Sequence, residues 1–197
     1  DFGDAESLAR EIRGAETSVA RLTALANGLL ELSRIDGDDS PQGRATTAEL
    51  IDEAMLAVDR ARMIALARQV DVSFSTDGLN GLNTYAIEPD AFGRLLDNLF
   101  SNALNAVGDA GVVDLTLRND DGMLEIEVVD NGPGVPTSFL PKAFDRFSRP
   151  DESRSASAGG SGLGLALVRA IAESAGGTAQ LSNGKSGARA LIRLPNM

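Results

Sequence analysis

Between residues 4 and 36 apolar side chains recur at alternating spacings of four and three: Leu8, Ile12, Ala15, Val19, Leu22, Ala26 and Leu29, with Ser33 in register. Leu25, Leu32 and Ile35 reinforce the pattern. It predicts one long helix with an apolar seam that needs a partner, either another helix or the core of this chain. Gly14 and Gly28 interrupt it, and each weakens a helix by up to ~1 kcal/mol relative to alanine.

Beyond it, Gly37-Asp38-Asp39-Ser40-Pro41-Gln42-Gly43 is a linker by composition and marks a domain boundary. A second helix is expected from Thr46 or Thr47 as N-cap, with Glu49 and Leu50 following, to about Arg68. Val70 to Phe74 alternates as a strand does, and Leu82 to Ile87 reads as another strand or an extended connection. Residues 89 to 107 are expected to be helical, with Phe92, Leu95, Leu96, Leu99, Phe100, Ala103 and Val107 on one broad apolar face. Val112 to Arg118 and Met123 to Val129 predict a hairpin, whose buried face comes from Leu115, Leu117, Leu124, Ile126 and Val128. A short helix is expected over Phe139 to Phe147, with Phe144 and Phe147 as core anchors. The Ser-, Arg-, Gly- and Ala-rich stretch from Ser148 to Ser161 reads as a mobile loop. Last come a helix from Leu163 to Ala175, closed by Gly176-Gly177, and two strands, Thr178 to Ser182 and Ala188 to Leu194.

Composition narrows the class. With 197 residues and 43% hydrophobic content the chain can bury one substantial core plus an appendage. A net charge of -11 argues against a nucleic-acid surface. There is no cysteine, hence no disulfide framework or thiolate metal site, and no histidine. No apolar run is long enough to span a bilayer, and no signal peptide is evident. Because it begins at Asp1 and not Met, the chain reads as a fragment of something longer.

Three features carry chemistry. Asn98, Asn102 and Asn105 share one stripe of the 89–107 helix, away from its apolar face. Asparagine is a mediocre helix former, so the stripe is either solvated decoration or a row of neutral oxygen donors facing a ligand or a hard cation. The second feature is Asp130-Asn131-Gly132-Pro133-Gly134-Val135-Pro136 at a strand end. It is either a tight surface turn or a fixed carboxylate able to accept a hydrogen bond from a ligand amino group. The third is Gly159-Gly160-Ser161-Gly162-Leu163-Gly164-Leu165, glycine-rich backbone feeding a helix N-terminus and therefore suited to phosphate. It is not the dinucleotide fingerprint, because Leu165 stands where the third glycine belongs. Gly184-Lys185-Ser186 is not a P-loop, since Ala179 occupies the upstream glycine position, and Asp1-Phe2-Gly3 lacks any supporting kinase loop.

In this order the pieces resemble the catalytic domain of the two-component sensor histidine kinases, which has the Bergerat nucleotide fold. The resemblance covers roughly residues 47 to 195 and implies an α+β, two-layer α/β sandwich. Arg94 to Ala103 resembles the asparagine box, with Asn102 as Mg²⁺ ligand, Asn98 beside it and Asn105 one turn on. Asp130, Gly132 and Gly134 resemble the first glycine box, whose aspartate holds the adenine amino group. Phe144-Asp145-Arg146-Phe147-Ser148-Arg149 resembles the phenylalanine box, with Arg146 and Arg149 near the phosphates. Gly160, Gly162, Leu163 and Gly164 resemble the second glycine box at the hinge of an ATP lid. The N-terminal helix resembles the second helix of a dimerisation and phosphoacceptor hairpin.

The implied organisation is a partial hairpin helix at 1–36, a linker at 37–46 and a catalytic domain at 47–197. The implied function is transfer of the ATP γ-phosphoryl to a histidine outside this chain and thence to an aspartate on a response regulator. The full protein would be a homodimer through its hairpin helices, and this fragment the cytoplasmic part of a membrane-anchored sensor. Two departures stand out. Asn105-Ala106 replaces a basic and an aromatic residue, and Arg189 replaces a threonine before the last strand. Related ATPases place a glutamate one turn before the metal asparagine, where this chain has Asn98. The alternatives are an anti-sigma-factor-type serine kinase, which lacks the hairpin, and a degenerate nucleotide-binding module without catalysis.

Overall fold

The computed structural model describes residues 2–37, 43–79, 83–150 and 161–197. The described elements run α1 (Phe2–Asp36), β1 (Ala45–Thr46), α2 (Thr47–Ala65), β2 (Asp71–Asp77), β3 (Thr84–Tyr85), α3 (Pro89–Ala106), β4 (Val112–Asp120), β5 (Met123–Asp130), α4 (Gly164–Ser174), β6 (Thr178–Asn183) and β7 (Ala188–Pro195). The architecture is the expected two-layer sandwich preceded by a long helix. A five-stranded sheet of order β2-β4-β5-β7-β6 carries α2, α3 and α4 on one face. The pairing of β2 with β4 is parallel, and α3 lies in their crossover. All other pairs in this sheet are antiparallel.

Local chemistry sets the element ends. Thr46 caps α2 in a full capping box: its Oγ1 accepts from the Glu49 N–H, and the Glu49 carboxylate accepts from the Thr46 N–H. The bonds its carboxylate accepts from the Thr46 N–H and from the Thr46 hydroxyl hold the Glu49 carboxyl below its ordinary range. Ala45 and Thr46, at the end of the expected linker, pair with Thr84 and Tyr85 in a small antiparallel sheet. Leu82 lies outside the described residues. The last carbonyls of α3 are met by Arg68, which donates to Leu104 O at 2.7 Å and also to Val107 O. Gly176, at a φ of +74°, and Gly177 close α4 by donating to Glu173 O and Ala172 O.

The strand alternation sorts the sheet's two faces. Leu115, Leu117, Leu124, Ile126 and Val128 face the helices and join Phe92, Leu95, Leu96 and Leu99 of α3 in one core. The opposite face carries Arg118, Glu125, Glu127, Arg189 and Arg193. Glu125 is 0% exposed there, and it accepts from Arg118 Nε at 2.5 Å and Arg193 Nε at 2.6 Å. Burial alone would raise its carboxyl, but the hydrogen bonds and charges of Arg193 and Arg118 outweigh it and hold the group below the ordinary glutamate range.

Two expectations need correction. Phe139 to Phe147 is not an α-helix: only Leu140–Lys142 forms a single 3₁₀ turn, continued by isolated three-residue turns at Asp145 and Ser148. Pro141 is in the first turn, where its missing N–H costs nothing, and it is the left-handed backbone at Phe147 that ends helical continuation. Phe144 packs on the core as expected, but Phe147 is 56% exposed. Its backbone has a φ of +62°, and the anchoring at this position comes from its amide.

The apolar positions of α1 divide between two faces. Leu25, Leu32 and Ile35 pack on the core, Leu32 almost completely, beside the start of α4. Leu8, Ile12, Val19, Leu22 and Leu29 stay exposed. Gly28 lies in the packed stripe, and a Cβ there would stand 3.2 Å from Leu163 Cδ1. The glycine that costs helix propensity thus sits where a side chain would crowd Leu163, just before α4.

Candidate nucleotide site

A cavity of about 610 Å³ opens between α3, the start of α4 and the turn after β5. On α3 the apolar stripe is buried in the core, which turns Asn98, Asn102 and Asn105 toward the cavity. Asn98 donates through Nδ2 to Arg94 O at 2.8 Å, one turn back on the same helix. A Cβ at Gly164 would meet Asn98 Oδ1 at 2.9 Å and Asn102 Nδ2 at 3.6 Å. A side chain at Gly164 would push the Asn98 amide aside, so glycine keeps the N-terminus of α4 close to the asparagine stripe.

Asp130 ends β5 and is 5% exposed at the cavity wall. Its Oδ1 accepts from Gly132 N–H at 2.9 Å and from Ala188 N–H at 3.2 Å. Among the described residues no donor reaches Oδ2. Gly187 packs so tightly on Asp130 that a Cβ would lie 2.1 Å from its carbonyl oxygen. Next in the chain, Asn131 Oδ1 accepts from Val112 N–H at 2.8 Å and ties the turn to β4. The carboxylate is thus fixed through Oδ1 at the cavity wall.

Next to Ser148 and Ser161, which line the cavity, Phe147 N–H donates to Gly162 O at 2.8 Å, bringing together the two ends of the segment between them. Gly162 has a φ of +71°, and a Cβ on it would lie 2.9 Å from the Phe147 backbone. Residues 151–160 of that segment, expected to be a mobile loop and including Gly160, lie outside the described residues.

Of the residues singled out from sequence, Asn98, Asn102, Asn105, Asp130, Gly134, Arg149, Gly162, Leu163 and Gly164 line one cavity. Gly132 stands behind the wall, donating to Asp130, and Arg146 is not part of the lining. Arg189 turns away to the outer face and pairs with Glu127, while Ala188 and Ala190 line the cavity. Sequence reasoning missed Asn27 and Gly28 of α1, which also line it. It missed Asn183 as well, whose amide binds both backbone groups of Val135. Gly28 had a signal, a helix-weakening residue inside a regular seam; Asn183 had none.

Comparison with known proteins agrees with this geometry. Residues 87–197, more than half of the chain, match the family described as histidine kinase-, DNA gyrase B-, and HSP90-like ATPase. The chain is 36% identical to a probable sensor histidine kinase HK of Mycobacterium tuberculosis, over 97% of this chain and 48% of that protein. Against the ATP binding domain of PrrB from Mycobacterium tuberculosis the identity is 30% with a TM-score of 0.57, over 78% of this chain and 96% of that one. Full-length ShkA, solved in complex with AMPPNP, gives 25% identity and a TM-score of 0.70 over 89% of this chain and 36% of that one. The chain spans under half the length of the first curated relatives it matches. By the family match and the fold, the chain belongs to the histidine kinase-, DNA gyrase B-, and HSP90-like ATPase family.

Proposed function

We propose that this chain is the ATP-binding catalytic portion of a sensor histidine kinase, acting on a histidine outside itself. The observation that carries the reading is Asp130, a nearly buried carboxylate at the wall of a nucleotide-sized cavity, with one oxygen held internally and, among the described residues, no donor on the other. That second oxygen suits the amino group of adenine. Gly162 to Gly164, at the start of α4, and Arg149 suit the phosphates. Mg²⁺ fits the same site. Among the described residues no group of three or more His, Cys, Asp or Glu is gathered. A cation would therefore take an amide oxygen from Asn102, with Asn98 beside it, and the rest from phosphate and water.

The chemistry is in-line transfer: a P–N bond to the acceptor imidazole forms as the bond between the γ-phosphorus and its bridging oxygen breaks, leaving ADP. The chain's own part is positioning and electrostatic stabilisation. Asn98, where a hydrolytic glutamate would stand, is no base, so water is not activated at that position. The phosphoryl group then passes to a response-regulator aspartate.

The exposed seam of α1, Leu8 to Leu29, is the surface for the histidine-bearing helix and for a second copy of the protein. Residues 1–36 thus serve as part of a dimerisation hairpin, 37–46 as its connection and 47–197 as the catalytic domain. Among the described residues no helix is long and apolar enough to cross a membrane, and this portion would work on the cytoplasmic side. The long helix disfavours an anti-sigma-factor-type serine kinase. Phosphoryl transfer from ATP to an added histidine-bearing helix tests the proposal.

A further inference from the structure

We propose that Asn183 is a positioning residue for the nucleotide base, acting through Val135; the inference rests on the nucleotide reading above. Asn183, the last residue of β6, accepts from Val135 N–H through Oδ1 at 2.7 Å and donates through Nδ2 to Val135 O at 2.8 Å. Only one orientation of the amide satisfies both bonds. Val135 lies between Gly134, at a φ of +74°, and Pro136, and all three line the cavity. Among the described residues no other hydrogen bond holds the backbone from Pro133 to Val135. Without Asn183 this part of the turn is tied down only by its covalent neighbours, beside a glycine that permits many conformations.

The same hairpin also reaches the carboxylate. Gly184 N–H donates to Gly187 O at 2.7 Å, Gly187 packs against Asp130, and Ala188 N–H donates to Asp130 Oδ1. One β6–β7 hairpin therefore holds both sides of the base site: the acceptor, through Ala188, and the facing turn, through Asn183. A Cβ on Gly134 would lie 2.8 Å from Asn183 Oδ1, so the clamp leaves space only for glycine. This role concerns the base end of the cavity; the asparagine stripe and the start of α4 are held independently of it.

The test compares the whole chain with its Asn183→Ala and Asn183→Asp variants, and with Asp130→Asn as control. Calorimetry measures affinity for Mg-ATP and, by competition, for inorganic tripolyphosphate; thermal unfolding and amide exchange at Val135 are followed without ligand. Both Asn183 variants should weaken ATP about five- to tenfold, the worth of one or two hydrogen bonds. Aspartate should not rescue, because it places an oxygen against the Val135 carbonyl. Tripolyphosphate affinity and the unfolding temperature should hold, while Val135 exchanges faster. Equal weakening of ATP and tripolyphosphate, or a lowered unfolding temperature that accounts for the loss, would make Asn183 merely structural. Unchanged ATP affinity in the Asn183 variants with a loss in Asp130→Asn overturns this inference alone. Unchanged affinity in all three overturns the base site on which it depends.

Discussion

Phe147 and Gly162 are joined by a 2.8 Å hydrogen bond, amide to carbonyl, across a segment whose ends both reach the cavity. Both residues have positive φ, and their backbones touch. Gly162→Ala should therefore break the junction, since its Cβ would stand 2.9 Å from Phe147 Cα. Strain at a left-handed position and the lost bond together amount to about 1–3 kcal/mol. Amide exchange at Phe147 should rise and Mg-ATP affinity fall; unaltered exchange would show that the junction does not hold the segment's ends.

Asp130→Asn should remove most nucleotide affinity with the fold intact. Oδ1 of the new amide can keep the bonds from Gly132 and Ala188, so its Nδ2 takes the ligand side and opposes an amino donor. The expected loss is ~1–3 kcal/mol. Calorimetric titration with ATP decides it, and unchanged affinity would remove Asp130 from the base site.

Asn102→Ala should abolish the Mg²⁺ dependence of ATP binding, and Asn105→Ala should affect it only weakly. Both line the cavity, but Asn102 lies nearer the start of α4, where Gly164 approaches the stripe. Titrations with and without Mg²⁺ separate them. Equal behaviour of the two variants would mean that neither is the metal ligand.

Glu125 should make stability fall in acid. Its folded carboxyl titrates below the ordinary glutamate value, so its contribution is fully present above that value and is lost as pH falls through the lower, folded one. Glu125→Gln should destabilise by about 1–3 kcal/mol at neutral pH, through loss of two charge-assisted bonds. The difference from the parent should shrink toward low pH. Urea unfolding at several pH values measures this, and a gap that does not change with pH would contradict it.

How much of this was legible depends on the range of the interactions. The α2 capping box lies within Thr46 to Glu49, and the hairpin alternation within Leu115 to Val128, so both could be read directly. The asparagine stripe and the Asp130 turn were legible because each is compact in sequence. Asn183 was not, since its partner Val135 is 48 positions away and an asparagine before a glycine reads as an ordinary turn. Glu125 alternates with apolar neighbours as any polar-face residue does, and its burial between Arg118 and Arg193 depends on neighbouring strands that local sequence does not reveal. Periodicity in α1 merged two stripes that the packing of α4 separates. Phe147 carried the composition of a core anchor, but its backbone conformation turns the ring outward.

The central claim is that this chain handles ATP for a histidine it does not itself contain. The direct measurement is incubation with radiolabelled Mg-ATP, with and without a fragment supplying a histidine-bearing helix for the α1 seam, followed by acid and base treatment. The chain alone should bind nucleotide, turn it over negligibly and acquire no label, since it has no histidine. With the fragment present, label should appear on the fragment, lost in acid and stable in base. Label on the isolated chain that survives acid would contradict the account and point to transfer onto serine or threonine.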